Sequence, residues 1–370
     1  MLRIGSRYSC KEEYKAHLLD SKVDGCTNID QLKSVIQQTR VFVGTTTAFN
    51  SNTALFKIKQ FDLAVVDEAS QILEPHLLGL LSAVDDKGES AIKKIVMIGD
   101  HKQLPAVVQQ NEADSRVDDE RLNAVYLSDC RLSLFERLLK AYRYDEDVVY
   151  MLTRQGRMHI DIADYPSKAF YGDKLQVVPL AHQQEALCQC GDADNPIDRL
   201  LSASRIAFVD IDKPKQSLSD KVNTAEAEAI AATIERIYLM NESVFSPSQT
   251  VGVIVPYRNQ IAEIRNALSR RGIDVLSKIT IDTVERFQGS QRDYIVYGFT
   301  VQKYYQLQFL TNNVFEESGC IIDRKLNVVM TRARKHLLLF GNASLLNRSI
   351  VFRNLLDYMK QKNSFFCNPF

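Results

Sequence analysis

Two short β-branched runs early in the chain end in acidic turns, and this constrains the fold most. Residues 63–66 (LAVV) run directly into Asp67-Glu68-Ala69-Ser70. Residues 95–98 (IVMI) run into Gly99-Asp100-His101-Lys102-Gln103-Leu104-Pro105. Continuous apolar runs of this length suit strands buried on both faces, and such strands belong to parallel sheets. In parallel sheets the polar residues that do chemistry gather where the strands end. Taken singly, each turn is an ordinary strand end leading into a helix whose N-terminus favours acids. In sequence, the two form one pattern.

The rest of the chain extends that pattern. Residues 40–45 (RVFVGT) read as a further strand of the first block, with an amphipathic helix over 72–84 and another over 132–142. A second block places strands at 205–210, 249–255, 279–283, 293–299 and 337–340, with helices over 225–238 and 259–271 between them. Strands alternating with helices of this length predict an α/β fold with parallel, doubly wound sheets. The polar, acidic stretch 112–120 reads as a loop or linker, and 181–203 as an inserted loop. The expected division is an incomplete first domain over 1–115, a linker and helix over 116–150, a second domain over 151–350 and a tail over 351–370.

Composition narrows the class without naming a function. Of 370 residues 45% are apolar and 25% charged, and 46 basic side chains balance 46 acidic ones. Formal neutrality does not argue against nucleic acid, because a local basic groove suffices to hold a few phosphates. No apolar run reaches the roughly 20 residues of a membrane span, and the N-terminus has no apolar signal region. The 7 cysteines are scattered, and only Cys188 and Cys190 lie close together, too little for a zinc site. Reduced thiols in a cytoplasmic protein are expected.

The turns after 66 and 98 carry a recognisable chemistry. A carboxylate at the end of a buried strand can hold Mg²⁺, a hard cation that prefers oxygen ligands. A second carboxylate beside it can orient or deprotonate a water. A glutamine just past the next strand can sense a phosphate or that water. These segments resemble motifs II and III of superfamily 1 helicases, in particular the 5′-to-3′ branch. The likeness continues in order along the chain. Residues 43–47 (VGTTT) resemble motif Ib, and 152–162 (LTRQGRMHIDI) resemble the Q-Y-R-M-H segment. Residues 282–293 (DTVERFQGSQRD) resemble motif V, and 326–334 (LNVVMTRAR) resemble motif VI.

The resemblance implies two RecA-like domains, the first incomplete, with ATP and Mg²⁺ bound in the cleft between them. By position, Asp67 would hold Mg²⁺, Glu68 would be the catalytic base and Gln103 the phosphate sensor. Arg157 and Arg332 would be arginine fingers, whose guanidinium groups stabilise charge on a transferred phosphoryl group. Asp100, Gln288, Gly289 and Gln291 fall at nucleotide-facing positions, with Gly289 permitting close backbone approach. Thr45, Thr46 and Thr283 are candidate contacts to the backbone of a nucleic-acid strand. Single-stranded DNA is the favoured partner and RNA the alternative, because no RNA-binding appendage is visible.

The chain departs from the family pattern in three places. Gly156 stands where a tyrosine would stack on the base, and Gln291 stands where motif V usually has a glutamate; together they predict a relaxed nucleotide preference. The third departure is larger. None of the 15 glycines is followed by lysine, so no G-x-x-x-x-G-K-[ST] phosphate loop occurs in these residues. Without that loop a triphosphate lacks its main anion cradle. Two readings follow. One is a helicase or translocase fragment that hydrolyses ATP only with an upstream polypeptide carrying a Walker loop. The other is a non-hydrolysing module that binds nucleic acid or a partner. Retention of Asp67, Glu68, Gln103, Arg157 and Arg332 favours the first, and no nuclease-like site is present. The first half is expected to be less stable than the second.

Overall fold

A computed structural model of the chain describes residues 1–143, 145–188, 191–192, 194–212 and 219–368. It falls into two compact units, one made of Met1–His101 and Pro105–Tyr150, the other of Lys102–Leu104 and Met151–Phe370.

The first unit holds four short strands: β1 (Leu2–Ile4), β2 (Phe42–Gly44), β3 (Ala64–Val66) and β4 (Ile95–Met97). β1 pairs in parallel with β2, placing Ile4 opposite Gly44. β3 pairs in parallel with β4, placing Val66 opposite Met97. A small core of Ile4, Ile36 and Leu55 is backed by Phe42, Phe49 and Phe61. Val43, Val65 and Val96 nevertheless remain 47%, 59% and 46% exposed. Parallel strands are ordinarily covered on both faces, so β2, β3 and β4 each present an uncovered aliphatic side chain. The stretch 112–120, expected to be a loop, contains the helix Glu112–Ser115 and the start of another, Glu120–Ala124. Asn111 and Asp119 cap these helices through their side chains, so the polar and acidic character marks helix starts rather than a linker. The helix Leu134–Tyr142 opens with a capping box in which Ser133 and Glu136 satisfy each other's backbone amides.

The second unit is built on a six-stranded sheet and confirms the expected α/β class. After a small parallel pair, β5 (Arg154–Gln155) and β6 (Gln176–Val177), come β7 (Ile206–Asp210), β8 (Val251–Ile254), β9 (Thr280–Asp282) and β10 (Arg292–Gly298). A hairpin of β11 (Val314–Glu317) and β12 (Cys320–Asp323) precedes β13 (Ala333–Gly341) and β14 (Phe365–Cys367). The sheet order is β14-β7-β13-β10-β8-β9, with every neighbour parallel. Alternation divides the strands between two cores. Ile206, Phe208, Ile295, Leu337 and Leu339 face one side, and Ala207, Val209, Val296, Leu338 and Phe340 face the other.

Three further expectations change here. Residues 351–370, read as a tail, hold the helix Ile350–Gln361 and the edge strand β14, whose Phe365 stacks on Phe208. Burial of Phe352, Leu355, Leu356 and Met359 makes this helix part of the core. The region 181–203, read as an inserted loop, carries the helices Ala181–Gln184 and Pro196–Ala203, and Ile197, Leu200 and Leu201 are buried. Cys10, Cys26, Cys130, Cys320 and Cys367 are free thiols as expected. Cys188 departs from that expectation because it is disulfide-bonded, and Cys190 lies outside the described residues. Among the described residues no helix is long and apolar enough to cross a membrane.

Candidate functional site

In the first unit the candidate acids sit where β3 and β4 end. Asp67 and Glu68 are exposed immediately after β3. Glu68 adopts a left-handed backbone, φ 51°, which is rare for a residue with a side chain and clusters at functional turns. Its amide donates to Asp67 Oδ1 at 3.0 Å, and its Oε2 accepts from Gln71 Nε2 at 2.5 Å. Beyond β4, Asp100 donates its backbone N–H to Ser70 Oγ at 3.2 Å. A Cβ on Gly99 would lie 2.9 Å from the Ser70 amide nitrogen, so only glycine lets the ends of β3 and β4 approach this closely. Ser70 is 2% exposed and went unassigned in the sequence reading; its place within DEAS beside a Gly-Asp turn was the available signal.

No cluster of three or more metal-ligating side chains occurs among the described residues. Mg²⁺ does not need one, since it keeps several waters and takes one or two carboxylates together with phosphate oxygens. Asp67 fits that role, being exposed and engaged through a single carboxylate oxygen.

Thr45 and Thr46 follow β2. Thr45 Oγ1 accepts from the Ala48 amide at 3.1 Å and caps the helix Thr46–Asn50. Its acceptor lone pair therefore has a structural use, and the hydroxyl proton remains available to an outside oxygen. Thr46 is half-buried in the first turn of that helix.

The second unit brings four candidates together. Arg332 is 3% exposed; its Nη2 donates to Gln103 Oε1 at 2.7 Å and its Nε to the Val328 carbonyl at 3.1 Å. Arg157 donates from Nη1 to the carbonyl of Thr331 at 2.9 Å and from Nε to Gln291 Oε1 at 2.9 Å. Thr331 is thus the link, since its Oγ1 also accepts from Arg332 Nη2 at 3.2 Å. The helix Arg324–Met330 positions this cluster. Asp323 caps it by accepting the Leu326 amide at 3.0 Å, and burial pushes the Asp323 carboxyl up to about 6.

Residues 102–104 are fastened from several directions. Lys102 Nζ meets Glu317 Oε2 at 2.8 Å and donates to the Phe170 carbonyl at 2.9 Å. Asn327 Nδ2 donates to the Lys102 carbonyl and to Tyr171 Oη, each at 2.8 Å. Leu104 is buried in the core. Lys102, Asn327 and Thr331 were missed in the sequence, although all stand inside quoted motifs; their partners include backbone carbonyls and side chains of distant segments, which residue type does not signal.

Thr283 begins the short helix Val284–Phe287 without using its side chain as a cap. Gly289 has φ 77°, a left-handed turn that glycine adopts without strain. Gln288 Nε2 is buried without a hydrogen-bond partner, an arrangement costing about 1–3 kcal/mol unless an acceptor arrives. Gly156 is open to substitution, because a Cβ there would meet only Leu180 Cδ1 at 3.5 Å.

Two AAA domain family models match, one over residues 7–111 and one over 130–344. Probable helicase MAGATAMA 3 of Arabidopsis thaliana is 29% identical over 352 residues, covering 92% of this chain and 37% of that protein. The DNA replication ATP-dependent helicase/nuclease DNA2 of Xenopus laevis is 27% identical over 344 residues, covering 88% and 29%. Regulator of nonsense transcripts 1 of Dictyostelium discoideum is 28% identical over 309 residues, covering 82% and 20%. The chain therefore spans well under half the length of these relatives. The matched models and the motifs lead to one assignment: the chain belongs to the AAA domain family, as a superfamily 1 helicase-like protein.

Proposed function

We propose that these residues form part of an ATP-dependent helicase or translocase motor acting on single-stranded nucleic acid, and that they do not turn over ATP until a phosphate-binding loop is supplied. The observation that carries the reading is the network Gln103–Arg332–Thr331–Arg157–Gln291. It joins the phosphate-sensing glutamine to two guanidinium groups, and an ordinary surface ion pair would need none of these bonds.

Each residue then has a role its chemistry can perform. Asp67 offers a carboxylate oxygen to Mg²⁺, and Glu68 orients the attacking water and accepts its proton. Arg157 and Arg332 stabilise negative charge on phosphoryl oxygens, with their positions fixed by Thr331. Gln103 reports phosphate occupancy through Arg332. Gln288 turns its unpartnered amide to an incoming acceptor, and Thr45, Thr46 and Thr283 contact the strand backbone. When bound, Mg-ATP supplies the phosphoanhydride bond whose cleavage drives movement. A neutral Gln291 beside Arg157 leaves more positive charge at the site than a glutamate would.

The test is ATP hydrolysis stimulated by single-stranded oligonucleotide, measured for this chain alone and for the chain fused to a segment bearing G-x-x-x-x-G-K-[ST]. Turnover restored in the fusion and abolished by Glu68→Gln supports the motor. A fusion that binds oligonucleotide but never hydrolyses ATP selects the non-hydrolysing module instead.

A further inference from the structure

The segment after β10 exposes aromatic rings where aliphatic side chains beside them are buried. Tyr304 and Tyr305 are each 56% exposed and Phe309 is 43% exposed. Leu307 and Leu310 of the helix Gln306–Leu310 are 5% and 2% exposed. Burying an aromatic ring gains about 1.5–3 kcal/mol, so one ring left half-exposed on this helix and two more just before it call for an explanation.

The rings are held rather than loose. Gln306 is 1% exposed; its Oε1 accepts the amides of Gln302 and Lys303 at 2.8 and 2.9 Å, and its Nε2 donates to the Asp220 carbonyl at 2.8 Å. Phe309 stacks on Tyr257, with centroids 5.2 Å apart and planes 20° apart. Tyr305 Oη donates to Asp220 Oδ2 at 2.9 Å. Cations interleave with the rings. Arg348 lies 5.5 Å from the Tyr304 centroid and Lys325 4.3 Å from that of Phe309. Arg258, next to Tyr257, is exposed and has no ion-pair partner among the described residues.

The location is equally specific. Tyr257 follows β8, Thr283 follows β9 and the aromatic segment follows β10, and these are adjacent parallel strands. All three therefore rise from the same C-terminal edge of one sheet.

We propose that Tyr304, Tyr305 and Phe309, with Tyr257 behind them, form a stacking surface for the unpaired bases of a single nucleic-acid strand. The inference rests on the nucleic-acid reading above and adds base contacts to the backbone contacts assigned there. Aromatic faces bind bases with little sequence preference, and the exposed guanidinium groups of Arg348 and Arg258 hold the phosphates; Lys325, 6% exposed and bonded to the Phe309 carbonyl, only braces the ring. Fixed rings lose little freedom on binding, which is what the Gln306 anchorage provides.

The experiment measures binding of the chain to labelled oligo(dT) and to an abasic oligonucleotide of equal length by fluorescence anisotropy. Tyr304→Ala, Tyr305→Ala and Phe309→Ala should each weaken oligo(dT) binding about tenfold and leave abasic binding and the salt slope unchanged. Tyr305→Phe, which keeps the ring, should bind oligo(dT) like the parent. Parent binding with no loss in the alanine variants overturns the stacking surface alone and leaves these rings as a contact for a protein partner. Equal loss on the abasic strand overturns it too. A parent chain that binds neither oligonucleotide overturns the nucleic-acid reading itself.

Discussion

Arg332 Nη2 and Gln103 Oε1 meet at 2.7 Å, joining the motif-VI arginine to the motif-III glutamine at a separation of 229 residues. Arg332 is 3% exposed and Gln103 half-buried, and hydrogen bonds to charged groups contribute about 1.5–3 kcal/mol. A double-mutant cycle on Arg332→Ala and Gln103→Ala, read by urea unfolding, should give a coupling of about 1–2 kcal/mol. Strict additivity would remove Gln103 from the arginine's support.

Gly99 should resist substitution. A Cβ there comes within 2.9 Å of the Ser70 backbone nitrogen, which cannot move without separating the ends of β3 and β4. Gly99→Ala is expected to lower stability by about 1–3 kcal/mol, measured as a shift in Tm. An unchanged Tm would show that the two turns do not need this approach.

Gly156 should behave oppositely, since its Cβ position is bounded only by Leu180 Cδ1 at 3.5 Å. Gly156→Tyr should fold normally. In a loop-completed fusion it should narrow hydrolysis towards ATP, while the parent accepts several nucleoside triphosphates at comparable rates. Strict ATP dependence in the parent would contradict the role given to this glycine.

Glu226 is 0% exposed, and burial pushes its carboxyl up from an ordinary 4.5 to about 7, against opposing hydrogen bonds from Thr300 and Gln260. The folded state holds this proton more tightly than the unfolded chain. Its stabilising contribution is therefore complete below about pH 4.5 and is lost as pH rises towards 7. Glu226→Gln should remove that slope, so the stability of the variant relative to the parent should improve from pH 5 to pH 8. A difference independent of pH would show that the carboxyl titrates normally.

Hydrogen exchange should distinguish the two units. β1 to β4 are three residues each, and Val43, Val65 and Val96 stay largely exposed. By contrast Val251, Val253, Ile295, Val296 and Leu337 to Leu339 are fully buried. Amides of β3 and β4 should exchange much faster than those of β10 and β13. Equal protection would mean that the uncovered strands are stabilised by something other than burial.

Much of this was legible because strand patterning is local. The runs ending at Asp67 and Asp100, and the run that becomes β10, announce themselves through β-branched residues and polar ends. β1 and β14 did not, because their strand character comes from pairing with β2 and β7. The hairpin turn at Ser318 and Gly319, both at positive φ, lacks the Asn-Gly or Asp-Gly pair that usually marks one. Within the candidate site, motif order named Arg157, Gln291 and Arg332 as candidates, which hydrogen bonds bring together. It could not give Thr331 as their link, because that role depends on a backbone carbonyl and a hydroxyl brought together by distant chain segments.

We propose that Asp67, Glu68, Gln103, Arg157 and Arg332 supply the catalytic side chains, and no G-x-x-x-x-G-K-[ST] phosphate loop occurs in these residues. The most direct test compares steady-state ATP hydrolysis, with saturating single-stranded oligonucleotide, for the chain alone, for the loop-completed fusion and for the fusion carrying Arg332→Ala. Expected are no turnover by the chain, turnover by the fusion, and a loss of about a thousandfold or more with the arginine removed. Turnover by the chain alone, or a fusion indifferent to Arg332, would contradict the proposal.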